Sequence, residues 1–153
     1  MSKPALIQRI IRHLKNDLSV MEGAAAEARD NATGDETRSE GKYDTRAIEA
    51  AYLAGAQAER AGKLSEALRL FEAFDPPIYE SSEAIGPGAL VETEHNGEIV
   101  SYLLAPAAGG LTLDYNGFDL TVLTPDSRLY QQLLGNHCGE ILDDPPLMVL
   151  EIT

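Results

Sequence analysis

Residues 4–32 read PALIQRIIRHLKNDLSVMEGAAAEARDNA. Stepping through them by four and three from Ile7 meets Ile11, Leu14, Leu18, Met21, Ala25, Ala28 and Ala32. An unbroken 4-3 apolar repeat is the seam of a helix that packs lengthwise on a partner helix. Pro4 suits a first helical turn, where its missing N–H costs nothing, and Gly34 ends the run. A second seam follows Tyr43: Ala47, Ala51, Ala54, Ala58, Ala61, Leu64, Leu68 and Phe71. Asp75-Pro76-Pro77 stops it, because proline cannot continue a helix. Large residues open the first seam and close the second, and the alanines are distributed the other way. An antiparallel fold-back therefore sets large against large and small against small, whereas a parallel pair mismatches both ends. The seams predict an antiparallel coiled-coil hairpin over residues 4–74, with arms of roughly 40 Å at about 1.5 Å per residue.

Beyond the hairpin the periodicity changes. Residues 75–88 hold three prolines and two glycines and form a linker. Two Asn-Gly hairpin signals follow, each between strand-like runs. Residues 89–94 and 98–104 flank Asn96-Gly97, and residues 111–115 and 118–123 flank Asn116-Gly117. Residues 127–134 suit a short helix capped by Ser127 and ended by Gly135, and residues 147–152 suit a last strand. The expected fold class is α+β. A helical hairpin over 1–75 is followed by an antiparallel sheet domain with one short helix over 76–153.

The composition agrees with two parts. The 153 residues carry 12 Lys+Arg against 25 Asp+Glu, a formal charge of −13, with 44% hydrophobic residues. That size and balance fit a folded soluble chain and exclude wholesale disorder. Residues 1–75 have a net charge of −2 and residues 76–153 a net charge of −11, with Arg128 the single basic residue of the second half. So acidic a half repels nucleic-acid phosphates and suits a basic protein surface or water. No apolar run approaches the ~20 residues of a membrane helix. Basic residues spread through the first 15 positions do not form a secretory signal. A cytoplasmic location is the expectation.

Self-contained catalytic constellations are absent. Gly86-Pro87-Gly88 lacks the lysine of a phosphate loop. His13, His95 and His137 share no metal-ligand spacing, and Cys138 stands alone. The chain is expected not to be an enzyme and to hold no cofactor of its own. Two charged features remain. Asp35, Glu36 and Glu40 crowd the turn between the helices, and carboxylate oxygens are the hard ligands that Mg²⁺ prefers. Lys3, Arg9, Arg12 and Lys15 precede the first acid, Asp17. They are expected either to pair with Glu59, Glu66 or Glu72 of the returning arm, or to contact RNA through Arg9, Arg12 and Lys15.

At this point the chain resembles a known family. An alanine-rich helix, the Gly34-Asp35 turn, Tyr43, a second helix and a sheet domain look like the bacterial Gre transcript-cleavage factors, in a divergent branch. The run Ser127-Arg128-Leu129-Tyr130-Gln131-Gln132-Leu133-Leu134-Gly135-Asn136-His137-Cys138-Gly139-Glu140 is similar, without gaps, to the family pattern Ser-Pro-Leu-Gly-x-x-Leu-Leu-Gly-Lys-x-x-Gly-Asp. Residues 102–110 also resemble the family's segment before the second hairpin. The resemblance implies an FKBP-like second domain at the rim of the RNA polymerase secondary channel. It also implies a hairpin inside that channel, whose tip carboxylates share a Mg²⁺ at the polymerase active site. That ion activates water for cleavage of backtracked RNA, so the nascent RNA 3′ end is met indirectly. Allowing one extra residue, Asp35 or Glu36 with Glu40 takes the two acidic tip positions. Asp126, Ser127, Arg128, Tyr130, Gln131 and Asn136 fall in the docking stretch, with Arg128 at the family's proline and Asn136 at its lysine. The same resemblance raises two alternatives to cleavage: a channel-occupying regulator without it, and a prolyl isomerase, which needs an aromatic-lined apolar pocket and has only Tyr102, Tyr115, Phe118 and Tyr130 as aromatics beyond the linker. A coiled-coil adaptor is a further class.

Overall fold

A computed structural model describes residues 2–33 and 44–153 of the chain. Its elements are α1 (Lys3–Thr33), α2 (Asp44–Glu72), β1 (Leu90–His95), β2 (Glu98–Leu104), β3 (Thr112–Tyr115), β4 (Phe118–Leu123), α3 (Arg128–Leu133), β5 (Ile141–Asp143) and β6 (Pro146–Ile152). The fold class is α+β, as the seams and hairpin signals predict. The chain divides into two compact units, one of residues 10–69 and one of residues 1–9 with 70–153. The first turns of α1 and residues 70–75, which the sequence groups with the helical half, thus cluster with the sheet.

In the helical unit the seam residues Ile11 and Leu14 of α1 are buried and Leu18 and Met21 half-buried, while Ile10, off the seam, is completely buried. On α2, Ala61 and Ala67 are buried and Leu64 and Leu68 half-buried, while Ala58 is exposed. Asp17, Val20 and Met21 line one side of a groove of about 450 Å³, and Arg60, Lys63 and Leu64 line the other. In the sheet unit, Ile7 and Gln8 share a cavity with Phe74–Ile78. The start of α1 therefore lies beside the end of α2, and the middles of the two helices face each other. That is the antiparallel pairing of the seams. The side chains of the alanine-rich seam ends, from Ala25 and up to Ala54, lie outside the described ones.

The sheet has six strands in the order β3-β4-β2-β1-β6-β5. Both Asn-Gly signals make two-residue turns: Asn96, Gly97, Asn116 and Gly117 all have φ between 51° and 88°, as a primed hairpin turn requires. The sheet departs from the all-antiparallel expectation at one place, where β4 pairs parallel with β2. The physical reason lies in the composition of the second hairpin. Leu120 and Val122 of β4 are completely buried, whereas Thr112 and Asp114 of β3 are exposed. The apolar strand takes the inner position and the short polar one becomes an edge. At the opposite edge, β5 supplies a three-residue strand that the sequence does not announce.

Both sheet faces are buried: Leu103, Leu120 and Val122 lie completely buried on one, and the other packs on α3. Val91, Leu104, Val149 and Ile152 gather with Tyr130 and Leu133 of α3, each fully buried side chain contributing about 1.5–3 kcal/mol. Gly88 carries the linker into this sheet with φ +84°, and a Cβ there would come within 2.8 Å of the Pro76 Cβ. Among the described residues no helix is long and apolar enough to cross a membrane.

Candidate functional site

The site builds outward from α3. Ser127 adopts an extended conformation (φ −75°, ψ 133°), and its side chain accepts from the Tyr130 N–H, which satisfies one of the orphan donors of a helix start. Thr124 Oγ1 donates to Asp126 Oδ1, and Gln131 Nε2 donates to the Pro125 carbonyl at 2.8 Å. These bonds fix the turn from both ends. Asn136 closes the far end, its Nδ2 donating to the carbonyls of Gln132 (2.6 Å) and Leu133 (3.2 Å). Gly135, at φ +83°, makes the reversal between them.

The six residues of the docking stretch thus divide. Asp126, Arg128 and Gln131 are exposed, Ser127 and Asn136 are half-buried helix caps, and Tyr130 is 4% exposed within the core. Arg128 pairs with Asp144 at 2.9 Å, both side chains being about three-quarters exposed; such a pair is worth little by itself. Beside it runs an open cavity of about 390 Å³ lined by Gln132, Asn136 and Ile141–Asp144. Ile141 is 70% exposed, and Gln132 Oε1 is buried with no hydrogen-bond partner among the described residues. β5, which carries Ile141, is the edge strand, so its outer N–H and C=O row pairs with no strand of the sheet. The face combines an apolar knob, an orphan side-chain carbonyl, an unpaired strand edge and an exposed Arg128–Asp144 pair, and an open strand edge with apolar side chains beside it is one of the ways proteins recognise peptides. Sequence reasoning missed Ile141 and Gln132. The only available signal was the Ile-Leu pair inside an otherwise polar stretch.

The basic cluster is not one site. Lys3 is 4% exposed. Its ammonium donates to the main-chain oxygens of Pro77 (2.7 Å) and Thr153 (2.8 Å) and lies 5.3 Å from the centroid of the Tyr79 ring. Burial pulls its pKa down to about 8, since desolvation disfavours the charged form. Arg9 donates to the main-chain oxygen of Asp114. Arg12 and Lys15 are exposed on α1. Glu59 and Glu66 pair instead with Lys63 and Arg69 of their own helix. The Arg69 guanidinium lowers the Glu66 pKa and is itself raised in return. The tip acids Asp35, Glu36 and Glu40 lie outside the described residues. Among the described residues no group of three or more His, Cys, Asp or Glu side chains could hold a metal ion.

The arrangement defines an α+β protein with a helical unit and a sheet unit whose α3–β5 face is exposed. No family model and no curated protein matches the chain. Among solved structures it is similar to the GreA factor homolog 1 (Gfh1) of Thermus thermophilus, at 17% identity over 97% of this chain and 93% of that one, with a TM-score of 0.37. It is likewise similar to a structure of the transcription factor Gfh1 (20% identity, 95% and 92% covered, TM-score 0.38) and to Gfh1 of Thermus aquaticus (21%, 92% and 92%, TM-score 0.37).

Proposed function

We propose that this chain is a Gre-type factor that binds RNA polymerase and acts on transcription elongation. The observation that carries it is the stretch Ser127–Glu140, whose gapless likeness to the Gre pattern coincides with the capped turn at α3 and its open face. Helices of 31 and 29 residues agree with a hairpin that reaches into the secondary channel. In this reading Asp126, Arg128 and Gln131 meet the polymerase, while Ser127, Tyr130 and Asn136 hold the face in shape. Asp35 or Glu36, together with Glu40, adds oxygen ligands to a Mg²⁺ of the polymerase, which supplies a metal-activated water for RNA cleavage. Arg9, Arg12 and Lys15 are assigned the RNA contact, with Arg12 and Lys15 the exposed members. The factor itself is not the enzyme.

A second reading is favoured by the tip spacing. Without an insertion, counting from Gly34-Asp35 puts Arg38, and counting from Tyr43 puts Ser39, where the Gre pattern has its second acid. A factor that occupies the channel without promoting cleavage follows from that substitution. Adding the purified chain to backtracked elongation complexes with Mg²⁺ separates the two. Short 3′ RNA fragments that vanish in the D35A/E36A/E40A variant, with binding retained, support cleavage. Competition with a cleavage-active Gre factor without fragments supports the channel-blocking form. Neither fragments nor competition refutes both.

A further inference from the structure

The sheet carries a second polar site, away from α3 and unused by the reading above. Glu92 on β1 is the register partner of Ser101 on β2 and of Glu151 on β6, so the three side chains leave the same face of adjacent strands. A bulge makes this possible. Glu92 sits opposite Glu151 but Thr93 sits opposite Val149, which leaves Leu150 as the extra residue. In an unbroken strand Val149 and Glu151 would share one face. Here Val149 stays fully buried in the core and Glu151 turns to the other side. Re-aiming a side chain is a characteristic use of a bulge.

These residues line a cavity of about 210 Å³ together with Leu90, Tyr115, Asn116 and Thr153, whose main-chain oxygen accepts from the Lys3 ammonium at 2.8 Å. Like charges directly opposite on neighbouring strands are destabilising, and neither carboxylate has an ion-pair partner among the described residues. Lys3 and Arg9, the basic residues of the same unit nearest in sequence to the α1 start, are committed to main-chain oxygens. Ser101 is 5% exposed, and its hydroxyl lines the cavity with no protein hydrogen-bond partner among the described residues, so its acceptor capacity is left to whatever fills the cavity. Burial raises the Tyr115 pKa, its hydrogen bond with Asn116 opposes that shift, and the Glu151 and Glu92 carboxylates add to it; the phenol is thus close enough to sense both acids.

We propose that this cavity binds a protonated primary amine, its ammonium seated between Glu92 and Glu151 with the Ser101 hydroxyl as third acceptor. An ammonium has three donors to match three separate acceptors; a planar guanidinium fork suits one bidentate carboxylate better. The cavity is several times the ~30 Å³ share of a water, with room for a short alkyl stem along Leu90 and the Tyr115 ring. The amine is either a small alkylamine or a lysine side chain of a protein partner.

The test uses the full chain, isotope-labelled, with amide shifts followed by NMR during titration with n-butylamine, with putrescine and with an acetylated peptide holding one lysine. n-Butanol is the neutral control of equal length. The expected result is saturable shifts at Glu92, Ser101, Tyr115 and Glu151 with at least one amine and none with butanol. Glu92→Gln and Glu151→Gln should each weaken binding about tenfold, Ser101→Ala less. Both glutamine variants remove a like-charge contact and should melt no lower than the parent, which separates lost binding from lost folding. Response to the peptide alone assigns the site to a protein lysine, and response to the free amines alone assigns it to a small molecule. No saturable shift, equal shifts with butanol, shifts with Mg²⁺ but not amines, or binding unchanged in both glutamine variants overturns the proposal.

Discussion

The helical unit and the sheet unit use charge in opposite ways. Among the described residues of the helical unit the charged and polar side-chain contacts are local: His13–Asp17, Glu59–Lys63 and Glu66–Arg69 each join residues one turn apart on one helix. Such pairs support the helix they sit on by a few tenths of a kcal/mol and say nothing about which partner it meets. Pairing therefore falls to apolar residues such as Ile11, Leu14 and Ala61 of the seams, with Ala67 buried beside them. The sheet unit adds long-range polar contacts to its local ones. Lys3 reaches Pro77 and Thr153, Arg9 reaches Asp114, His95 reaches Pro146, and Arg128 reaches Asp144. An apolar stripe can fix the pairing of two helices, whereas a small sheet with loose ends gains from polar staples between distant segments.

The contrast breaks most readily at the seam. Leu14→Ala, at a side chain only 3% exposed, should cost about 3 kcal/mol, read as a lower denaturant midpoint in urea. A loss below 1 kcal/mol would mean that the seam is not what holds the helices. Lys3 gives the next largest effect and a definite sign. Unfolded lysine keeps its proton to about pH 10.4, while buried Lys3 keeps it to about pH 8. Between these values the unfolded chain binds more protons, so stability should rise with pH by on the order of 2 kcal/mol from pH 7 to pH 10. Above pH 10 the raised tyrosines, Tyr79, Tyr102, Tyr115 and Tyr130, act in the other direction, because the unfolded phenols ionise first. Lys3→Met should flatten the rise, and an unchanged slope would remove Lys3 as its source. The smallest effect belongs to Glu66→Gln. Its carboxylate is fully solvated, and thermal melting should not distinguish the variant from the parent; a clear loss would show that local pairs do more than the seam implies.

What was legible follows the same divide. The Asn-Gly turns and the Ser127 cap depend on spacing within one segment, and the sequence carries them; the seams it carries in part, since Ile11, Leu14 and Ala61 are buried but Ala58 is exposed and the off-seam Ile10 and Ala67 are buried. The parallel β2–β4 pair, the β5 edge and the burial of Lys3 depend on which distant segments meet. Spacing along the chain does not encode that. At α3 the sequence located the stretch but could not divide it: in a six-residue helix, the side that holds Tyr130 in the core and the side that offers Gln131 outward cannot be told apart by periodicity. Ile141 and the Glu92–Ser101–Glu151 row went unseen for the same reason, since each needs the strand register before its neighbours are known.

The extra residue at Leu150 has one more consequence. If β6 slid by a single position along β1, a carboxylate would be carried into the core that packs on α3 and a valine to the face that bears Glu92 and Ser101. Glu151 thus acts as a keel: the strand has one berth in which it sits upright, and misaligned pairings are penalised during folding before any ligand is met.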